Sequence, residues 1–354
     1  MAITKKPFGT TPEGKQVTLY TLTNSTGSSV SVTDYGAILT SILVPDKDGN
    51  LADVCLGFDT LDGYLKKHGS MGDVVGRHAN RIGGASFDLD GVHYELAKNH
   101  GPNNLHSGPD NFALKVWDAC CESGVMGDSV VFTCVSPDGE SGFPGTMQVK
   151  MTYTWTEQDD LILRYEATTD KATLCNMTHH AYFNLAGHDH GTVRDQVIYI
   201  DADVFTPVDE GLIPLGTYMP VACTPLDLRE GALLGDGIDH WQEWPIMQAA
   251  GGYDHNFVLR KGCAMGLAAC AHDENSGRTM EVITDQPAIQ LYTANTTQLE
   301  GGKDGAVYGP FSGFCLETQH CPDSIHHPNF PGTVVLRPGE KYDTTTIYAF
   351  RVDD

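Results

Sequence analysis

Residues 147–169 read MQVKMTYTWTEQDDLILRYEATT. Met147, Val149, Met151, Tyr153 and Trp155 alternate with polar neighbours, a period of two that a strand converts into one apolar and one polar face. The acidic TEQDD at 156–160 supplies a turn, and Leu161, Leu163 and Tyr165 then return the apolar set to the matching face. The stretch predicts an antiparallel hairpin.

The same pattern recurs on both sides of it. VSVTDYGAILTSILVP (30–45), DQVIYIDADVFTPVD (195–209) and DTTTIYAFRV (343–352) are rich in Val, Ile, Thr and Tyr, and clusters of Gly, Pro, Asn and Asp punctuate the intervals. Helical periodicity is scarce: FDTLDGYLKKH (58–68) and EWPIMQAA (243–250) could each supply a short helix. No internal repeat, low-complexity linker or shift of composition marks a boundary, and the blade motifs of a propeller are missing. The expectation is an all-β chain folded as one large antiparallel β-sandwich, with residues 1–354 forming a single domain.

Bulk properties narrow the function. Hydrophobic content of 40% and charged content of 19% suit a water-facing globular chain, and no apolar run approaches the roughly 18 residues of a membrane-spanning helix. A formal net charge of −24, spread along the chain, should repel nucleic acid and anionic membranes. The N-terminal stretch turns polar where a signal peptide needs an apolar segment, and the ten cysteines include no Cys-x-x-Cys pair. Reduced thiols in the cytoplasm are the expectation, in a monomer or weak homodimer.

NMTHHAYFNL (176–185) sets two histidines side by side in an apolar and aromatic context. On a strand they must point to opposite faces. His179 shares its face with Met177, Ala181, Phe183 and Leu185, whereas His180 shares its own with Thr178, Tyr182 and Asn184. With the apolar set in the core, His180 belongs to a row able to line a pocket, and His179 becomes a partly buried structural histidine. The same test separates Glu317 from Phe314, Leu316 and Thr318 in GFCLETQH (313–320), and Gln290 from Ile289 and Leu291 in AIQLYTANT (288–296). Half-exposed strands alternate in this way without any function, so patterning alone does not establish a shared site.

Further stretches carry a resemblance. GRHANRIGGASFDLDG (76–91), NNLHSGPDNF (103–112), MTHHAYFNLAGH (177–188), GYDHNF (252–257), QLYTANT (290–296), SGFCLETQHCPD (312–323) and LRPGEKYDTTTIYAF (336–350), in this order and spacing, resemble the aldose 1-epimerase family over nearly the whole chain. The resemblance implies a β-supersandwich with an open carbohydrate cleft, a monosaccharide substrate and no cofactor or metal. It places a general acid on His180 and a general base on Glu317, and sugar-binding positions on Asn80, Arg81, His106, Asp254 and Gln290. His179 stands where relatives usually carry Asn, and LHSG replaces LHGG, which leaves the preferred sugar open.

The implied reaction makes sense of the pair. To interconvert anomers, a carboxylate takes the proton of the anomeric hydroxyl while a protonated histidine gives one to the ring oxygen. A nearby carboxylate would be expected to hold that histidine protonated at neutral pH. Arg81 offers a planar fork to sugar oxygens, although without the resemblance a surface cation or a structural ion pair is the more ordinary fate, and for Asp254 a turn-forming role is equally ordinary. Tyr182, Tyr292 and Phe257 are candidate platforms for an apolar sugar face, with core packing the more ordinary role for any one of them. Among fifteen histidines, the pairs His179/His180, His188/His190 and His326/His327 lack a metal-site spacing, and GRHANRIGG lacks the order of a phosphate loop. Two other readings remain open: an epimerase of a phosphorylated or modified hexose, and a sugar-binding protein without catalysis.

Overall fold

The computed structural model describes residues 2–66 and 69–352. The described residues form a nine-stranded antiparallel sheet, two five-stranded ones and four two-stranded ribbons. The hairpin of residues 147–169 sits inside the large sheet as Met147–Trp155 and Asp160–Thr169, in a register that sets Met151 opposite Tyr165 and Tyr153 opposite Leu163. Burial alternates residue by residue along both strands, as the pattern requires. Tyr342–Val352, the strand expected at the end of the chain, lies against Asp160–Thr169 in the same sheet.

Stretch 30–45 folds as a second hairpin, Ser29–Thr33 and Leu39–Pro45, within one five-stranded sheet. Two buried polar hooks join that sheet to the large one. The Tyr153 hydroxyl donates to the carbonyl of Ala37 at 2.6 Å, and the Trp155 indole N–H to that of Ser28 at 3.2 Å. Stretch 195–209 is not one strand: Gln196–Ile200 belongs to the nine-stranded sheet and Ala202–Phe205 to the other five-stranded sheet, so the chain changes sheet at Asp201. A continuous alternation cannot reveal such a crossing, because both halves keep the same period. One hydrophobic cluster collects side chains of all three sheets, from Tyr20 through Tyr153 and Phe257 to Phe350.

Helices are few and short. Leu61–Leu65 and Pro245–Gln248 fall within the two expected stretches, the second opening with proline at its first position. Residues 67 and 68, at the end of the first stretch, lie outside the described residues. Leu234–Ile238 was not anticipated, since two glycines within five residues hide its apolar face. No helix among the described residues is long and apolar enough to cross a membrane.

The sheet that carries the candidate site runs in the order Met219–Pro220, Ala202–Phe205, Asp254–Leu259, Ala288–Tyr292, Cys315–Gln319. Its register sets Asn256 opposite Gln290 and Gln290 opposite Glu317, with Asp254 opposite Tyr292 two residues along and so on the same face. Leu163→Ala should cost about 2–5 kcal/mol, since Leu163 is wholly buried and its loss leaves a cavity. Thr152→Ala, on the outer face of the same hairpin, should stay within about 0.5 kcal/mol. Equal costs in urea unfolding would show that the two faces are wrongly assigned.

Candidate active site

Alternation does its sorting here between two buried environments. Every residue of Thr178–His180 and Cys315–Gln319 is buried, so one face packs on the core and the other forms the floor of a cleft. The two strands meet through the Thr178 hydroxyl, which donates to the carbonyl of Thr318 at 2.9 Å. His179 then turns inward, where its Nε2–H donates to the Tyr153 hydroxyl at 2.9 Å. His180 turns to the cleft, where its Nε2 lies 3.6 Å from Oε1 of Glu317. Behind the His180 ring, Nδ1 approaches the buried thiol of Cys315 at 3.5 Å.

The cleft measures about 370 Å³, and its lining includes Asn80, Arg81, His106, His180, Asp254 and Glu317. Asn80 and His106 come from separate segments and hold each other. The Asn80 N–H donates to Nδ1 of His106 at 3.1 Å, and the His106 N–H donates to the Asn80 carbonyl at 3.1 Å. Both residues have left-handed backbones, φ 62° and 51°, a strain that persists only where the surroundings over-determine it. The Asn80 bond also decides a tautomer. A ring nitrogen that accepts a hydrogen bond carries no proton, so His106 is a neutral ring with its N–H on Nε2.

Arg81 makes the ion pair that its type allowed, and its partner is Asp254 itself, at 3.3 Å. Gln290 stands behind the cleft wall and donates to the other oxygen of Asp254 at 2.6 Å. Asp254 is thus aimed by an arginine and a glutamine and keeps acceptor capacity for hydroxyls entering the cleft. Tyr182 and Tyr292 line the opening, with ring centroids 5.0 and 6.3 Å from that of His180. Phe257 does not: it lies 1% exposed in the main core, on the opposite side of its strand from Asn256. Leu212, Asn295 and Thr296 also line the cleft. They sit in turns, where no periodicity exists to mark them.

Burial decides the charge state. It pushes His180 down to about 4, against the weaker pull of Asp254, and it raises Glu317 well above the carboxylate range, with Asp254 adding to the rise and Arg81 opposing it. The expectation that a carboxylate would hold His180 protonated meets an opposing effect, since desolvation favours the neutral form of both groups. Burial likewise takes His106 well below the usual imidazole value and His179 down to about 3. The second oxygen of Glu317, Oε2, is buried with no protein donor.

The ligand atoms of His106, His180 and Glu317 lie within 4.8 Å of one another, a set whose chemistry suits zinc. The His106 tautomer opposes that use. Its Nε2 carries the proton and its Nδ1 is committed to Asn80, which suits a hydrogen-bond donor toward a sugar oxygen.

A family model described as aldose 1-epimerase matches residues 18–349. The chain belongs to the aldose 1-epimerase family. Galactose mutarotase of Sus scrofa is 42% identical to it over 99% of each chain. A solved GalM/aldose epimerase homologue from C. elegans superimposes with a TM-score of 0.85 at 30% identity, covering 94% of this chain and 98% of that one. Galactose 1-epimerase from Lactobacillus acidophilus NCFM gives 0.86 at 27% identity, over 100% and 99%. As an aldose 1-epimerase family member, the chain has the all-β architecture expected of it.

His179→Asn should keep turnover, because the His179 ring faces Tyr153 and not the cleft. Loss of that bond should lower stability by about 1–3 kcal/mol. The comparison to make is mutarotation rate against melting temperature; a drop in rate as large as that of His180→Asn would mean that the cleft face is misassigned.

Proposed function

We propose that this chain is an aldose 1-epimerase that interconverts the α and β anomers of free aldohexoses such as D-galactose and D-glucose. One observation carries the residue assignment: an imidazole and a carboxyl 3.6 Å apart on the buried floor of a cleft large enough for one sugar ring. Glu317 accepts the proton of the anomeric hydroxyl. As the C1–O5 bond breaks, O1 becomes a carbonyl oxygen, and O5 takes the proton held by His180. The open aldehyde turns about its C1–C2 bond, and closure on the other face runs both transfers backward. Atoms and charge balance without an oxidant or a co-reactant.

The step needs one proton on the pair, which either tautomer supplies. Burial favours it on Glu317. A sugar hydroxyl donating to the unpartnered Oε2 stabilises the carboxylate and passes the proton to His180, so the bound sugar itself prepares the acid and the base. His106 donates from Nε2, and Asp254 accepts hydroxyls while Arg81 and Gln290 hold it. Asn80 acts by locking His106.

A phosphorylated hexose would need a cation for its phosphate. Arg81 is the only lysine or arginine among the described residues lining the cleft, and it is already paired with Asp254. A binding protein without catalysis would have no use for a matched acid and base. The chain is read as one domain, since a single core cluster reaches from Tyr20 to Phe350, and as a monomer or weak homodimer, since one chain supplies every group of the site. Ten unpaired cysteines suit a cytoplasmic setting.

Glu317→Gln and His180→Asn should each fold normally and lose about a hundredfold to ten-thousandfold in turnover, followed by polarimetry of freshly dissolved α-D-galactose and α-D-glucose. Failure of the wild-type protein to speed either relaxation would sink the proposal. The pH profile tests the charge states separately. Protonation of His180 removes the only acceptor of the neutral pair, so kcat/KM should fall on the acid side near 4, the value that burial imposes. Because Glu317 is raised, loss of the last proton, and with it the donor, comes above the ordinary carboxylate range. An acid limb centred near 6.5 would mean that His180 is not desolvated in solution.

A further inference from the structure

The histidine-rich turn HCPDSIHHPNF, residues 320–330, begins one residue past the Glu317 strand and takes no part in the chemistry above. At its centre Asp323 is 3% exposed, and its backbone φ of 58° turns the chain back on itself. Both its main chain and its side chain grip the segment that bears Arg81. The Asp323 N–H donates to the Arg81 carbonyl at 2.9 Å, and its Oδ1 accepts the Gly83 N–H at 2.8 Å. Two histidines complete the carboxylate. His326 Nδ1 lies 2.7 Å from Oδ1, and His327 Nε2 lies 3.3 Å from Oδ2. His327 Nε2 also reaches the Pro214 carbonyl at 3.1 Å, two residues from Leu212 on the cleft rim.

We infer that Asp323, steadied by His326 and His327, is a positioning residue that sets the reach of Arg81 into the cleft. The inference rests on the sugar-binding role proposed for Arg81. The other flank of Arg81 is a two-residue ladder, with Leu105 opposite Arg81 and Asn104 opposite Ile82. A pairing so short constrains the backbone weakly, and Asp323 supplies the second edge. Precision matters at this point because the guanidinium meets Asp254 at 3.3 Å, near the limit of a hydrogen bond, so that a small retreat of residues 81–83 breaks the contact. Among the described residues lining the cleft, Asp323 hydrogen-bonds to the Arg81 main chain alone, and its influence falls on sugar binding before proton transfer.

A double-mutant cycle in KM and kcat for D-galactose tests this, with Arg81→Ala, Asp323→Asn and the pair. Asp323→Asn should raise KM about tenfold while kcat changes less than about threefold, and in the Arg81→Ala background the same substitution should change KM less than about twofold. His326→Asn, at a more exposed partner, should raise KM by a smaller factor that also vanishes without Arg81; it decides the matter if Asp323→Asn fails to fold. Fully additive effects, or equal losses in kcat and KM, would overturn the inference and leave Asp323 a structural residue. If Arg81→Ala leaves KM unchanged, the sugar-binding role of Arg81 falls, and this inference falls with it.

Discussion

The molecule turns on a single proton held between an imidazole and a carboxyl at the dry floor of a cleft. In water the two groups would separate into an ion pair of little strength. Here burial drives His180 down and Glu317 up, reversing the order the two groups have in water and favouring the neutral form of each. A reaction that must run both ways through the same groups needs a proton that either of them can hold. The remaining architecture keeps those groups dry, adjacent and correctly turned.

Sheet register supplies the adjacency. Gln290 and Glu317 are ladder partners, Asp254 lies on the neighbouring strand two residues from the partner of Gln290, and His180 arrives from a strand joined to Cys315–Gln319 by the bond from Thr178 to Thr318. A slip of one residue in any of these strands would turn the functional side chain into the core. Loops supply the rest, and they are held by mutual bonds where ladders are absent. Asn80 and His106 are locked together in strained conformations, and Asp323 holds the backbone after Arg81. Strain of this kind is stable only inside a rigid frame, which the three sheets and their common core provide.

Much of this was legible along the chain because strand geometry is local. The period of two separated His179 from His180 and Glu317 from its neighbours, and the hairpin of residues 147–169 has the pairing read from it. Legibility failed where the deciding interaction was distant. Nothing along the chain told which of the candidate rings Tyr182, Tyr292 and Phe257 takes the ordinary core role; it is Phe257, through packing with distant segments. The run 195–209 gave no sign of crossing between sheets, since alternation continues through Asp201. Asp323 looked like part of a loop because its partners, Gly83 and the Arg81 carbonyl, lie some 240 residues away.

By itself the sequence determined the all-β class, the faces of the strands and the chemical kind of each group in the cleft, because side-chain direction along a strand and the acid–base character of a residue are properties of a few neighbouring atoms. Tertiary structure alone decided which of those groups meet, that Arg81 and Gln290 aim Asp254, which nitrogen of His106 carries the proton, and how deeply the His180–Glu317 pair is buried. These depend on desolvation and on contacts between segments far apart in the chain, which no local pattern encodes.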